Sequence, residues 1–240
     1  MKKILFFLVL SVVLLNAAAQ QTVINDPNVE VRTISGSFNE IKVSGGINIY
    51  LTQGNEEAIA VSANKEKYKQ NIKTEVKGNT LHIFYDEPGG FQISLGNKEM
   101  KVYVSFKSLQ KIKASGASDI HVMGQVDVPS LNIELSGASD FHGAVKTTSL
   151  SVETEGASDI KISGTAQNAS IDASGASDVK GYDLAVEVCK IKASGASNIA
   201  ITVNQELNAR ATGASNIQYK GAAVIKEMNS SGASSINKKG

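Results

Sequence analysis

Between residues 110 and 240, apolar and polar residues alternate around a tripeptide that keeps returning. Gly-Ala-Ser begins at Gly116, Gly137, Gly156, Gly175, Gly195, Gly213 and Gly232, at intervals of 21, 19, 19, 20, 18 and 19 residues. Four positions before each Gly stand Ile112, Ile133, Val152, Ile171, Ile191, Ala209 and Met228. Four positions after it stand Ile120, Phe141, Ile160, Val179, Ile199, Ile217 and Ile236. Both columns are wholly apolar. The column three before the Gly is wholly polar: Lys113, Glu134, Glu153, Asp172, Lys192, Arg210 and Asn229. The column six before it is mostly apolar, with Leu131, Leu150, Ala169, Cys189 and Leu207 between Gln110 and Lys226. This is period two on both sides of the tripeptide, the signature of strands with one buried face. A helix would space its apolar residues by three and four and would not tolerate so much Gly, Ser and Asn.

Each repeat therefore predicts a strand, a tight corner and a second strand, with a further turn at Gly124, Gly143, Gly164, Gly181 and Gly221. A unit this short cannot bury its own face and must stack on its neighbours. The expected fold is all-β: a right-handed parallel β-helix, or β-solenoid, with ~19-residue coils stacked ~4.8 Å apart. A propeller would need ~40 residues per blade.

Residues 20–110 are less regular but continue the theme. IKVSGGINIYL (41–51) aligns with IKASGASDIHV (112–122), placing Gly45 on Gly116 and Ile49 on Ile120. Strand-like runs cover Ala58–Val61, Leu81–Tyr85, Phe91–Leu95 and Val102–Phe106, and Lys65–Gln70 suits a helical turn. A solenoid end exposes strand edges and needs a cap. Residues 20–110 are expected to supply that cap and the irregular first coils of a single 20–240 domain, with seven repeats over 111–240.

Residues 1–19 carry Lys2 and Lys3, an apolar run from Ile4 to Leu15, and Ala17-Ala18-Ala19. That is the pattern of a cleaved secretory signal. The run is shorter than the ~20 residues that span a bilayer, and no later segment is apolar enough to cross a membrane as a helix. The expected location is the periplasm, the outer-membrane surface or the extracellular space.

At this point the chain resembles the head GIN domain family, often labelled auto-transporter adhesin. The resemblance lies in the secretory signal, in Gly46-Ile47-Asn48 within VSGGINIYL, and in the SGASD units. It extends over essentially the whole exported chain. It implies a β-solenoid fold, a secreted or envelope location in a Gram-negative bacterium and an adhesin role. It brings no catalytic residues with it. The chain ends at Gly240, just past the last repeat, so no C-terminal translocator barrel is expected.

Composition narrows the function. The formal net charge is +1, from 24 basic and 23 acidic residues, which lacks the basic footprint of a nucleic-acid binder. A single Cys excludes an intramolecular disulfide framework. Cys189 falls in the inward column and is expected to be a small buried hydrophobe.

The column three after each Gly is Asp119, Asp140, Asp159, Asp178, Asn198, Asn216 and Ser235. By alternation it faces outward. Carboxylates ~4.8 Å apart repel by ~0.9 kcal/mol per pair even in water. Calcium, which favours oxygen ligands, would offset this. So would Asp and Asn bonding nearby backbone N–H groups at the corner, or counter-charge from Lys161 and Lys180. The second arrangement is favoured, because Asn and Ser fill the same column. His121 and His142 occupy one position in adjacent coils and, with Asp119 and Asp140, make a weaker metal candidate. No cofactor is expected.

The acids form a ladder rather than the pair of placed carboxylates that glycosidases use. The expected function is thus a non-catalytic envelope binding module of adhesin type, recognising a cell-surface glycan or envelope protein. A structural scaffold and a polysaccharide-degrading enzyme are the alternatives. The sequence has no Trp, and after residue 110 only Phe141, Tyr182 and Tyr219 are aromatic. Ring stacking on a sugar is therefore expected, if anywhere, between Phe38 and Phe106.

Overall fold

The structure, a computed structural model, describes residues 26–86 and 98–240. The leader over 1–19 and the run Phe91–Leu95 lie outside the described residues. In chain order the elements are β1 (Glu30–Arg32), β2 (Glu40–Ser44), β3 (Asn48–Gln53), β4 (Ala58–Ala63), α1 (Glu66–Asn71), β5 (Ile72–Lys77), β6 (Thr80–Tyr85), β7 (Met100–Phe106) and β8 (Lys111–Ser115). They continue with β9 (Asp119–Asp127), β10 (Ser130–Leu135), β11 (Asp140–Thr154), β12 (Asp159–Ala173), β13 (Asp178–Ala193), β14 (Asn198–Ala211), β15 (Asn216–Lys220), β16 (Val224–Ser230) and β17 (Ser235–Lys238).

From β8 onward every pairing is parallel, and each coil lies on the one before. The fold is a parallel β-solenoid, as the repeat predicts. Identical columns meet in register: Asp140 lies opposite Asp159, Asp159 opposite Asp178 and Asp178 opposite Asn198. One sheet runs along the strands that enter the Gly-Ala-Ser corner (the entry sheet). The other runs along the strands that leave it (the exit sheet). The inward columns fill the space between. Ile112 and Ile133 are fully buried, and Val152, Ile171 and Ile191 are 1% exposed. Each such side chain removed from water contributes about 1.5–3 kcal/mol.

Two details differ from the sequence pattern. The glycines expected to end the second strand mostly do not. Strands β9 and β11 to β13 run on through Gly124, Gly143, Gly164 and Gly181, so this side of the coil is a bend within a continuous ladder. Only at Gly221 does a strand stop, at Lys220. Backbone pairing through the bend keeps N–H and C=O groups satisfied that a loop would leave to solvent. Differences in coil length are absorbed here, as the register shifts between Lys161 and Ser163 and between Gly181 and Ala185 show. In addition, the inward column six before the Gly slips by one residue at each end. Leu109 rather than Gln110 is buried. Ile225 rather than Lys226 lies opposite Leu207.

The N-terminal end is closed by a change of strand direction. β2 lies between β6 and β8, and β3 between β7 and β9, all parallel. The aligned segments meet as expected, with Ile49 opposite Ile120. Beyond them β5 runs antiparallel to β6, β4 antiparallel to β7, and β1 antiparallel to β4. The expected helical turn is α1, which buries Tyr68 against Tyr85, with ring centroids 6.3 Å apart at 70°.

Candidate functional site

The repeat's chemistry collects on the outer side of the exit sheet, because the corner delivers the same residues there in every coil. Gly156 illustrates the corner: its φ is +81°, and a Cβ would sit 2.4 Å from the Gly137 carbonyl oxygen of the coil below. Only Gly permits both the left-handed backbone and the close stacking. The Ser of the tripeptide points inward and closes the turn. Ser139, Ser158, Ser177, Ser197 and Ser215 each donate their hydroxyl to the carbonyl three residues earlier, at 2.8–3.1 Å. All are essentially buried. This role escaped the sequence-based expectation, which gave the corner bond to the Asp/Asn column one position later. The signal was present, since Ser recurs in every copy just before that column.

The Asp/Asn column points outward, and its members bond mainly to one another across coils. Asp140 Oδ1 accepts the backbone N–H of Asp159 at 3.2 Å. Asn198 Nδ2 donates to Asp178 Oδ1 at 2.8 Å, and Ser235 Oγ donates to Asn216 Oδ1 at 2.7 Å. Lys180 supplies counter-charge, but to Asp159 of the coil below (3.6 Å) rather than to Asp178 of its own.

The next outward column holds an aromatic stack: Tyr103, Tyr50, His121 and His142, with successive centroids 5.1, 5.2 and 5.4 Å apart and interplanar angles of 21° or less. Tyr103 donates its hydroxyl to Asp26 at 3.1 Å, and burial together with that bond pushes its phenol up to about 12. Burial, and next to it the neighbouring His142, hold His121 below the usual imidazole range. Asp119, Asp140, Asp159 and Asp178 thus stand in one column, and His121 and His142 in the next. Among the described residues no group of three or more His, Cys, Asp or Glu is arranged to hold a metal ion. Among the described residues of the aromatic-rich N-terminal stretch, most rings are buried or stacked, and Phe84 and Tyr85 are half-buried. Phe38, Tyr68 and Phe106 are core residues, and Tyr50 is covered on both faces by Tyr103 and His121. Cys189 is fully buried, and burial pushes its thiol up to about 12.

The stacked column continues as Lys161 and Lys180 and then reaches Ala200. The missing side chain leaves a groove of about 220 Å³ over Ala200, walled by Asp178, Lys180, Asn198, Asn216 and Gln218. The amides of the walls are fixed by hydrogen bonds to neighbouring side chains. Asn198 is anchored through Nδ2, Asn216 through Oδ1, and Gln218 through Oε1, which accepts the Tyr182 hydroxyl at 2.8 Å. The other end of each amide is the one left to a ligand: an acceptor on Asn198 and donors on Asn216 and Gln218. A second cleft of about 260 Å³ lies at the start of the stack, between Asp26, Ser62, Asn64, Glu99, Lys101 and Tyr103.

With this geometry in place, known proteins give the context. No curated protein matches the chain. Among solved structures, an adhesin described as putative from Bacteroides fragilis superposes with a TM-score of 0.81 at 24% identity, covering 89% of this chain and 98% of its own. A Parabacteroides distasonis protein described as a putative lipid binding protein gives 0.68 at 23% identity, over 90% and 98%. An adhesin described as putative from Parabacteroides merdae gives 0.67 at 20%, again over 90% and 98%. At these identities the likeness establishes the shared fold. The family described as "putative auto-transporter adhesin, head GIN domain" matches residues 37–223. The chain belongs to the head GIN domain family.

Proposed function

We propose that the protein is an exported, non-catalytic binding module of the cell envelope, adhesin-like in role, that recognises a hydroxyl-rich surface ligand on the outer side of its exit sheet. The observation that carries this is the groove over Ala200. Its amide groups are fixed by hydrogen bonds to neighbouring side chains, and its walls bring donors and acceptors together around an apolar floor. Few precisely placed polar groups around an apolar surface are the usual means of fixing a ligand's orientation. Cell-surface glycans present matching hydroxyls. Recognition here proceeds by hydrogen bonding, since the ring faces of the stacked column cover one another. The adhesin description of the family supports the binding role. In the groove over Ala200, Asp178 is the one carboxylate among the described lining residues, and it belongs to a repeated ladder rather than to a pair of placed acids, which supports a non-catalytic role.

A glycan array probed with the exported protein tests this. Saturable binding is expected. Ala200→Lys, which restores the Lys of the two preceding coils and fills the groove, is expected to weaken it by tenfold or more. Silence across the array would remove the glycan assignment in favour of an envelope scaffold. Release of reducing sugar from the same panel would replace it with an enzyme.

A further inference from the structure

The two ends of the solenoid are finished differently. At the N-terminal end, antiparallel strands and Tyr68 of α1 close the core. At the other end, β16 pairs on one side with β14, β17 pairs on one side with β15, and among the described residues nothing pairs with their outer edges. The inward column stays uncovered there. Met228 is 40% exposed, whereas Ala209 and Ile191 below it are 3% and 1% exposed. Val224 is 60% exposed, and Ile225 and Ile236 are only partly buried. An open edge of this kind offers unpaired N–H and C=O groups to another strand.

The residues of β16 suit one particular partner. Ile225 and Met228 lie opposite the inward residues Leu207 and Ala209, and Glu227 lies opposite Asn208. Lys226 is an inserted bulge residue on the outer side, where its ammonium is 3.6 Å from Glu206. Ile225-Lys226-Glu227-Met228 is therefore apolar inward, positive outward, negative outward, apolar inward. Reversed, the order is the same with the two charges exchanged. Antiparallel strands bring residues of the same face opposite one another. A two-fold axis between Lys226 and Glu227 would set Ile225 against Met228 on the inner side and Lys226 against Glu227, twice, on the outer.

We propose that this end is a self-association surface, on which two copies join end to end through antiparallel pairing of β16. Because the pairing is two-fold and uses the same strand of both copies, it is closed by its own symmetry, and the assembly stops at a dimer rather than growing into a filament. The exposed contact of Lys226 with Glu206 is worth little and gives way to the new pairing.

Sedimentation of the exported protein over about a thousandfold range of concentration tests the proposal. A monomer–dimer equilibrium is expected. Lys226→Glu and Glu227→Lys should each weaken the dimer by about tenfold or more, because like charges then face each other. The double swap should restore wild-type affinity to within about threefold. Both side chains are exposed, and unchanged melting of the variants confirms that they remain folded. A wild-type protein that stays monomeric, assembly beyond a dimer, single variants with unaltered affinity, or a folded double swap that does not recover would each overturn it.

Discussion

A corner glycine and a turn glycine differ in what surrounds them, and that difference sets the cost of replacing each. Gly156 has φ +81° and the Gly137 backbone directly beneath it, whereas Gly78 has φ +64° and nothing within 4 Å of a Cβ. Gly78→Ala should therefore lose about 1–2 kcal/mol, the cost of a left-handed alanine alone. Gly156→Ala should lose at least about 3 kcal/mol, since two coils must also part. Urea denaturation measures both, and equal losses would contradict the stacking argument. Ser177 is buried, donates to the Ser174 carbonyl at 3.0 Å and accepts the Ser158 N–H at 3.4 Å. Ser177→Ala orphans those groups and should cost about 1–3 kcal/mol in the same assay. The Ser is as regular in the sequence as the Gly. Its task was missed because alternation tells which way a side chain points and not which backbone atom it reaches.

At the level of elements, the outer side of the entry sheet is tied by charge. Glu134 on β10 bonds Lys111 (2.5 Å) and Lys113 (2.9 Å), both on β8. Its partial burial would raise the carboxyl, but the two ammonium groups outweigh this and hold it at about 2. A carboxylate depressed in the folded state stabilises fully above its ordinary value of 4.5 and loses that contribution as the pH falls towards about 2. Glu134→Gln should therefore cost about 1 kcal/mol near neutral pH, discounted for the exposed Lys113, and almost nothing near pH 2. Melting curves across that range provide the check; a pH-independent gap would point to a packing effect instead. The polar column was visible in the sequence. The 21-residue offset that brings Lys113 to Glu134 became a contact only when the coils stacked.

Over the whole molecule, each coil touches mainly its neighbours, with the Tyr182–Gln218 bond over Ala200 reaching one coil further, so stability should vary along the axis. Hydrogen exchange of dilute, monomeric protein is expected to be slowest in β11 to β13 and fastest in β16 and β17, where the last coil is paired on one side. Uniform protection would mean that the chain opens only as a unit. The same asymmetry explains why the proposed dimer surface was not foreseen. The sequence pattern treats the last repeat like the others, with Met228 and Ile236 in inward columns. Only their position at the end of the stack leaves them exposed.

Sequence alone determined the solenoid, its coil length, which columns point inward and which residues form the outer ladders. A seven-fold repeat of period-two patterning has one economical way to bury its apolar face. Tertiary structure decided the rest: that the second turn is a bend within a ladder, that Ser and not Asp closes the corner, that Ala200 opens a groove, and that β16 ends as an unpaired strand. These depend on what lies one coil away, about twenty residues distant in the chain. A linear pattern orders residues along a strand, whereas stacking decides which of them become neighbours.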